Sequence, residues 1–198
     1  TVAWVEKGIE PPPSCTPRLD DETAISRSSA IELMPDIPGQ NLPNSDRLWR
    51  IREMDLGENT DIGITKNPII EGRTYPCFVS TLDKDGNEVS GIRMPDISVP
   101  LATHTGWNLR NPETGSPEQL ISMIGLSSAF AISRASRETT NDPRLSIEER
   151  YTSREDYLQK VRVEAQKLAD EGYILHHDID VIVKNCSNRY EYLVSKLR

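Results

Sequence analysis

The sequence predicts an α+β chain made of a long irregular arm, a β-hairpin and a C-terminal helical hairpin. Three observations predict it. Residues 14–72 have weak periodicity and are punctuated by Pro17, Pro35, Pro38, Gly39, Pro43, Gly57, Gly63 and Pro68. From Arg73 the run TYPCFVSTL is rich in β formers, DKDG reads as a turn and NEVSGIRM continues with partial alternation. On either side of Gly172, apolar residues recur at helical spacing.

Composition narrows the function classes. The chain has 198 residues, 36% hydrophobic, with 14 prolines and two phenylalanines, so its core material is modest for its length. Its net charge is -8: residues 1–100 hold 10 Lys/Arg against 17 Asp/Glu, and the remainder 13 against 14. An acidic front half argues against a nucleic-acid partner. No run of eighteen apolar residues, no charged-then-apolar leader and no basic amphipathic face appears, which argues against a membrane partner. The expectation is a soluble chain, secreted or periplasmic if a leader lies upstream. Cys15, Cys77 and Cys186 have no metal-ligand spacing, and their odd number leaves at least one thiol without an internal partner. Buried or free thiols, or a Cys15 disulfide to another segment, are the two readings.

Taken in order, residues 1–13 read as the last turns of an amphipathic helix, with Val2, Trp4 and Val5 together and Gly8 at its end, then a Pro11-Pro12-Pro13 exit. A helix starting at Thr1 without earlier turns suggests a chain cut or processed from a longer protein. Residues 14–72 form the arm, with only Leu48–Met54 hinting at a strand or helical turn. So long an irregular segment suits a chain laid over a partner surface better than an independent domain. Residues 73–110 hold the hairpin, turning at Asp85-Gly86, and a Gly-Trp loop. Residues 111–198 are the helical region. There Ser116 caps a helix over Pro117–Arg137, Ser146-Ile-Glu-Glu149 is a capping box, and Ser153 starts a helix that Gly172 ends. Tyr157, Leu158, Val161, Ala165 and Leu168 make one stripe; Ile179, Ile182, Val183, Cys186, Tyr190, Leu193, Val194 and Leu197 make the other. Two such stripes predict an antiparallel helical hairpin.

The candidate site is Met94–Arg110, MPDISVPLATHTGWNLR, where an extended DISV between Pro95 and Pro100 leads to a concentration of polar groups around Gly106-Trp107. Candidate substrate-binding residues are His104, Thr105, Trp107, Asn108 and Arg110. One reading makes Trp107 a core plug with Asn108 and Arg110 satisfying loop carbonyls; the other makes the loop the wall of a cleft.

Other constellations fail on chemistry. Asp83, Asp85 and Asn87 open like a calcium loop, but Glu88 stands where glycine is needed and Met94 where glutamate is needed. The GLSSA at Gly125–Ala129 lacks the second glycine of a nucleophile elbow, so Ser127 reads as a packing residue. Adjacent His176 and His177, beside Asp178 and Asp180, read as solvated cap residues, because catalytic zinc wants three spaced ligands. With no Gly-rich phosphate loop, CxxC pair or HExxH, neither cofactor nor metal is expected.

Three stretches carry a resemblance: VAWVEKGIEPPPS, then DGNEVSGIRMPDISVPLATHTGWNLR, then DPRLSIEERYTSREDYLQKVR. They resemble the C-terminal part of a family of large α/β-hydrolase-domain proteins, and AWVEKGIEPP is similar to the last helix of tannase-like esterases. The resemblance implies a C-terminal extension of a serine-esterase-like protein whose nucleophile and catalytic histidine lie upstream of Thr1. It implies no catalytic residue in this chain, a Trp107 loop against the cleft, the upstream catalytic domain as partner and a small ester as substrate. A non-catalytic interaction module and a processed subunit of a hydrolase complex are the alternatives.

Overall fold

The computed structural model describes residues 2–196; Thr1 and Leu197, both used in the sequence reading, lie outside the described residues. Among the described residues, seven α-helices and six short strands follow one another in a mixed α+β arrangement, the strands pairing as three two-stranded antiparallel sheets. Helix α1 (Val2–Lys7) forms as expected. Gly8 ends it in the left-handed region, φ +66, returning its N–H to the Trp4 carbonyl at 3.0 Å. None of its side chains is buried.

The arm holds more structure than its punctuation predicts. Strand β1 (Ala24–Ser26) runs into helix α2 (Arg27–Leu33), whose N-cap Ser26 accepts a hydrogen bond from the Ser29 N–H. Strands β2 (Arg52–Asp55) and β3 (Ile70–Thr74) pair with each other through an irregular register. Strand β4 (Phe78–Ser80) pairs with β1, from Ala24↔Ser80 to Ser26↔Phe78. This corrects the expected hairpin. Its tip forms, with Asp83 N–H bonded to the Asn87 carbonyl at 2.8 Å and a bridge between Leu82 and Glu88, but its first strand takes its partner from the arm. The β formers were read correctly; which neighbour they pair with is a long-range choice that local sequence does not encode.

Two further expectations are overturned. The extended DISV is helix α3 (Pro95–Ser98), started by Pro95, whose fixed φ suits the first helical position. The helix expected over Pro117–Arg137 does not form. Ser116 and Met123 adopt positive φ of 49° and 56°, which breaks any helix there. Leu120 bridges to Leu109, and Leu126–Ala129 is strand β6, paired with β5 (Ala102–Thr105). Helix begins only at α4 (Arg134–Thr140), capped by Ser133. The apolar residues of that stretch covered more than one face because they belong to strand and loop rather than to a helical stripe.

The last third matches its reading. Helix α5 (Ile147–Arg150) carries the full capping box between Ser146 and Glu149. Helix α6 (Arg154–Asp170) is capped by Ser153, and α7 (Ile179–Lys196) returns beside it. Their direction is antiparallel: Arg154 at the start of α6 bonds Ser187 and Glu191 late in α7, while Arg162 bonds Asp180 at its start. The predicted stripes face each other. Tyr157, Val161, Ala165 and Leu168 are buried, with Ile179 and Cys186 from the opposite helix, and Tyr157 stacks on Tyr190 with centroids 5.4 Å apart. Phe130, Val99, Leu101, Ile147 and Tyr151 close the same core from the β5–β6 side.

Candidate functional site

Strand β5 carries the candidate site, and a buried polar network fixes it. Asp83 accepts the Asp85 and Asn87 N–H groups at 3.0 Å each, shaping a tight turn. Gly86 sits there at φ +80, where a Cβ would lie 2.8 Å from the Met34 sulfur and 3.0 Å from Pro35 Cδ. Fully buried Asn87 works as a surrogate strand: its Nδ2 donates to the Ala102 carbonyl at 3.1 Å and its Oδ1 accepts the His104 N–H at 2.8 Å. Thr103 donates its hydroxyl to the Asp85 carbonyl and accepts from Arg144 Nη1 at 2.9 Å. Arg144 is held two-point by Asp142, and Arg150 two-point by Asp85. The Arg150 guanidinium stands 4.1 Å from the Phe130 ring centroid. Burial alone raises the Asp142 carboxyl pKa, but hydrogen bonds from Arg144 outweigh it and the net shift is downward.

The five candidate residues divide between two sides of this strand. His104 projects with Ser127 into an open cleft of about 630 Å³ between the β5–β6 pair, α3 and α7. Its Nδ1 lies 2.8 Å from Ser127 Oγ, the residue opposite it in the β ladder. Burial lowers the His104 pKa, which favours the neutral ring. Ser127 lies on a strand rather than an elbow, and among the described residues no carboxylate is paired with His104. The pair is therefore a cross-strand hydrogen bond without the third member of a triad. Asp96, on the same cleft, is ion-paired with Arg189.

Trp107 faces elsewhere. It lines an apolar pocket of about 190 Å³ whose other walls come from Ile31 of α2, Met34 just after it, Leu42 and Leu48 of the arm, and Leu82. Thr105 donates to the Trp107 carbonyl at 2.6 Å, fixing the loop that carries the indole. Asn108 accepts the Ile121 N–H on its carbonyl at 2.9 Å. Exposed Arg110 donates to the Gln119 side chain at 3.0 Å, while its N–H reaches the Gln119 carbonyl. Asn108 and Arg110 thus belong to one irregular ladder with residues 119–121, Thr105 pairs with Leu126 at the end of β5 and holds the Trp107 carbonyl between the two ladders, and His104 faces the opposite cleft. Gly125 keeps the ladder tight, since a Cβ there would meet the Thr105 carbonyl oxygen at 2.3 Å.

The residues that sequence reasoning passed over are Thr103, Asp142, Arg144 and Arg150, along with the structural duty of Asp85 and Asn87. Apart from the Asp142–Arg144 pair, two positions apart, their partners lie up to 65 positions away, and no local spacing signals such pairing. His176 and His177 pair with Asp170 and Asp178, and the described residues hold no group of three or more potential metal ligands. All three cysteines are free; Cys15 lies 3.1 Å from the Tyr173 hydroxyl and Cys186 is buried.

Compared with known families, the chain matches the one described as alpha/beta hydrolase domain over residues 1–184, nearly its whole length. It belongs to that family. No match was found among curated proteins or among solved structures. Within the alpha/beta hydrolase family, catalysis rests on a serine at a strand-turn-helix elbow above a sheet. The described residues of this chain hold only two-stranded antiparallel sheets.

Proposed function

We propose that this chain is the C-terminal portion of a serine-esterase-type α/β hydrolase, forming part of the wall of the active-site cleft. The nucleophile and catalytic histidine come from the upstream catalytic domain, and the substrate is a small ester. One observation carries this reading. The chain exposes 13428 Å², whereas a compact monomer of 22.3 kDa exposes about 9,400 Å². An excess of about 4,000 Å² exceeds the roughly 800 Å² per partner of a standard interface and suits permanent burial against another domain. Most of the exposed large apolar side chains sit in the front half, Trp4, Trp49, Ile51 and Phe78 among them.

The test is an assay of short-chain aryl esters with the full-length protein and with this chain alone. Turnover is expected only in the former. In the full-length protein, Trp107→Ala is expected to change KM or ester preference with little change in melting temperature. A loss of about 3–5 kcal/mol of stability instead would make Trp107 a core plug, and a variant with neither effect would remove the loop from the cleft.

A further inference from the structure

The Trp107 pocket has a size, a lining and a charge balance that together specify an occupant. At about 190 Å³ it is somewhat larger than an apolar cavity of roughly 150 Å³ that holds benzene. It is smaller than the ~300–1,000 Å³ of pockets that enclose a whole drug-sized ligand. It therefore accepts one group of a molecule whose remainder lies outside. Ile31, Met34, Leu42, Leu48, Leu82 and the Trp107 ring supply apolar walls. The two charged side chains on the lining, Arg27 and Glu88, are opposite in sign. Arg27 already donates to the Trp49 carbonyl at 2.9 Å and the Ser45 carbonyl at 3.5 Å, which fixes the arm as one wall. With Arg27 already engaged and no other cation on the lining, the pocket has nothing to pair an anionic guest, and burying a charge without a partner is costly.

We infer that this pocket binds an uncharged single aromatic ring, or an alkyl group of similar volume. Resting on the hydrolase reading above, that group is the acyl or alcohol moiety of the ester substrate. The Trp107 indole on the lining supplies an aromatic partner for such a guest. Ala30 of α2 also lines the pocket, so a large side chain there would fill the space.

The experiment uses the full-length protein and two readouts. Fluorobenzene is titrated by fluorine NMR against wild type and Ala30→Phe, and kcat/KM is measured for nitrophenyl benzoate and nitrophenyl acetate. Fluorobenzene is expected to bind wild type, and Ala30→Phe to weaken it about tenfold or more. The benzoate-to-acetate ratio is expected to fall by a similar factor. Leu42→Trp, at the rim, repeats the test should Ala30→Phe fail to fold. If esters are hydrolysed but fluorobenzene does not bind and neither variant moves the ratio, the inference is overturned while the hydrolase reading stands. If fluorobenzene binds and Ala30→Phe blocks it but no ester is hydrolysed, the pocket stands and the hydrolase reading falls. Benzoate anion binding as tightly as fluorobenzene would overturn the assignment of an uncharged guest.

Discussion

Residues 2–98 and residues 99–196 are nearly equal lengths of chain with opposite relations to water. Of the buried aliphatic, aromatic and cysteine side chains described, only Ala24 and Ile37 precede Val99. The second half buries a continuous core from Val99 to Cys186 and sets two arginines beside it, Arg144 held by Asp142 of the same half and Arg150 by Asp85 of the first. The first half turns Trp4, Trp49, Ile51, Met54, Ile64 and Phe78 outward. Its ion pairs, such as Lys66–Asp55 and Arg73–Glu53, are solvent-exposed and contribute little each. Sharing one chain, the halves show that a family match across 1–184 does not imply uniform self-sufficiency. The second half supplies most of the buried core, whereas the first leaves large apolar side chains exposed.

This contrast can be broken most forcefully at the buried network. Arg144→Ala leaves Asp142 buried without its partner and strips Thr103 and the Ser128 carbonyl of a donor. A loss of about 3–5 kcal/mol is expected in urea unfolding, and a change below about 0.5 kcal/mol would show that the second half does not depend on this network. A smaller effect is expected where the halves meet. Gly86→Ala forces a Cβ at φ +80 against Met34 and Pro35 of the first half and Thr103 of the second, so destabilisation of more than about 1 kcal/mol is expected. Unchanged stability would mean that α2 and its following loop are not seated on the turn as described.

A pH effect sharpens the picture of the second half. The Glu149 carboxyl is lowered to about 2, first by the Ser146 N–H and then by the Ser146 hydroxyl and Arg137. A carboxylate with a depressed folded pKa stabilises above its unfolded value, near 4.5, and that contribution is lost as pH falls through about 2. Glu149→Gln is therefore expected to flatten the acid limb of the stability profile between these values. An identical limb in the variant would assign the acid sensitivity to other carboxylates. The smallest effect belongs to the front half: Trp49→Ser, at a site 96% exposed in this chain, should change stability by less than about 0.5 kcal/mol. A larger loss in the isolated chain would show that the indole is already covered there.

What the sequence made legible follows the same division. The α6–α7 pair was readable because its stripes have helical spacing and its ends carry Ser153 and Gly172, so local and tertiary signals agree. The capping box at Ser146 is equally local. The β4 partner was not readable, since Phe78 could pair onward across the Asp85-Gly86 turn or back to Ser26, and only the assembled fold decides. Residues 117–137 misled because abundant apolar side chains without a stripe were read as a buried helix, while positive φ at Met123 and close approach at Gly125 are invisible to periodicity. Of the candidate site, Trp107 and His104 stand out in the sequence because glycine, tryptophan and polar groups concentrate between Met94 and Arg110. Their separation onto opposite faces of β5 and its loop needed the register with β6 and the Asn87 side chain that stands in for a neighbouring strand.

The central claim is that the front half is an unfinished surface completed by the catalytic domain of the same hydrolase. Amide hydrogen exchange on this chain alone and on the full-length protein tests it most directly. The account predicts fast exchange across residues 14–72 in the isolated chain and marked slowing in the full-length protein, with α6 and α7 equally protected in both. Arm amides protected to the same degree as α6 and α7 in the isolated chain, and unchanged in the full-length protein, would contradict it.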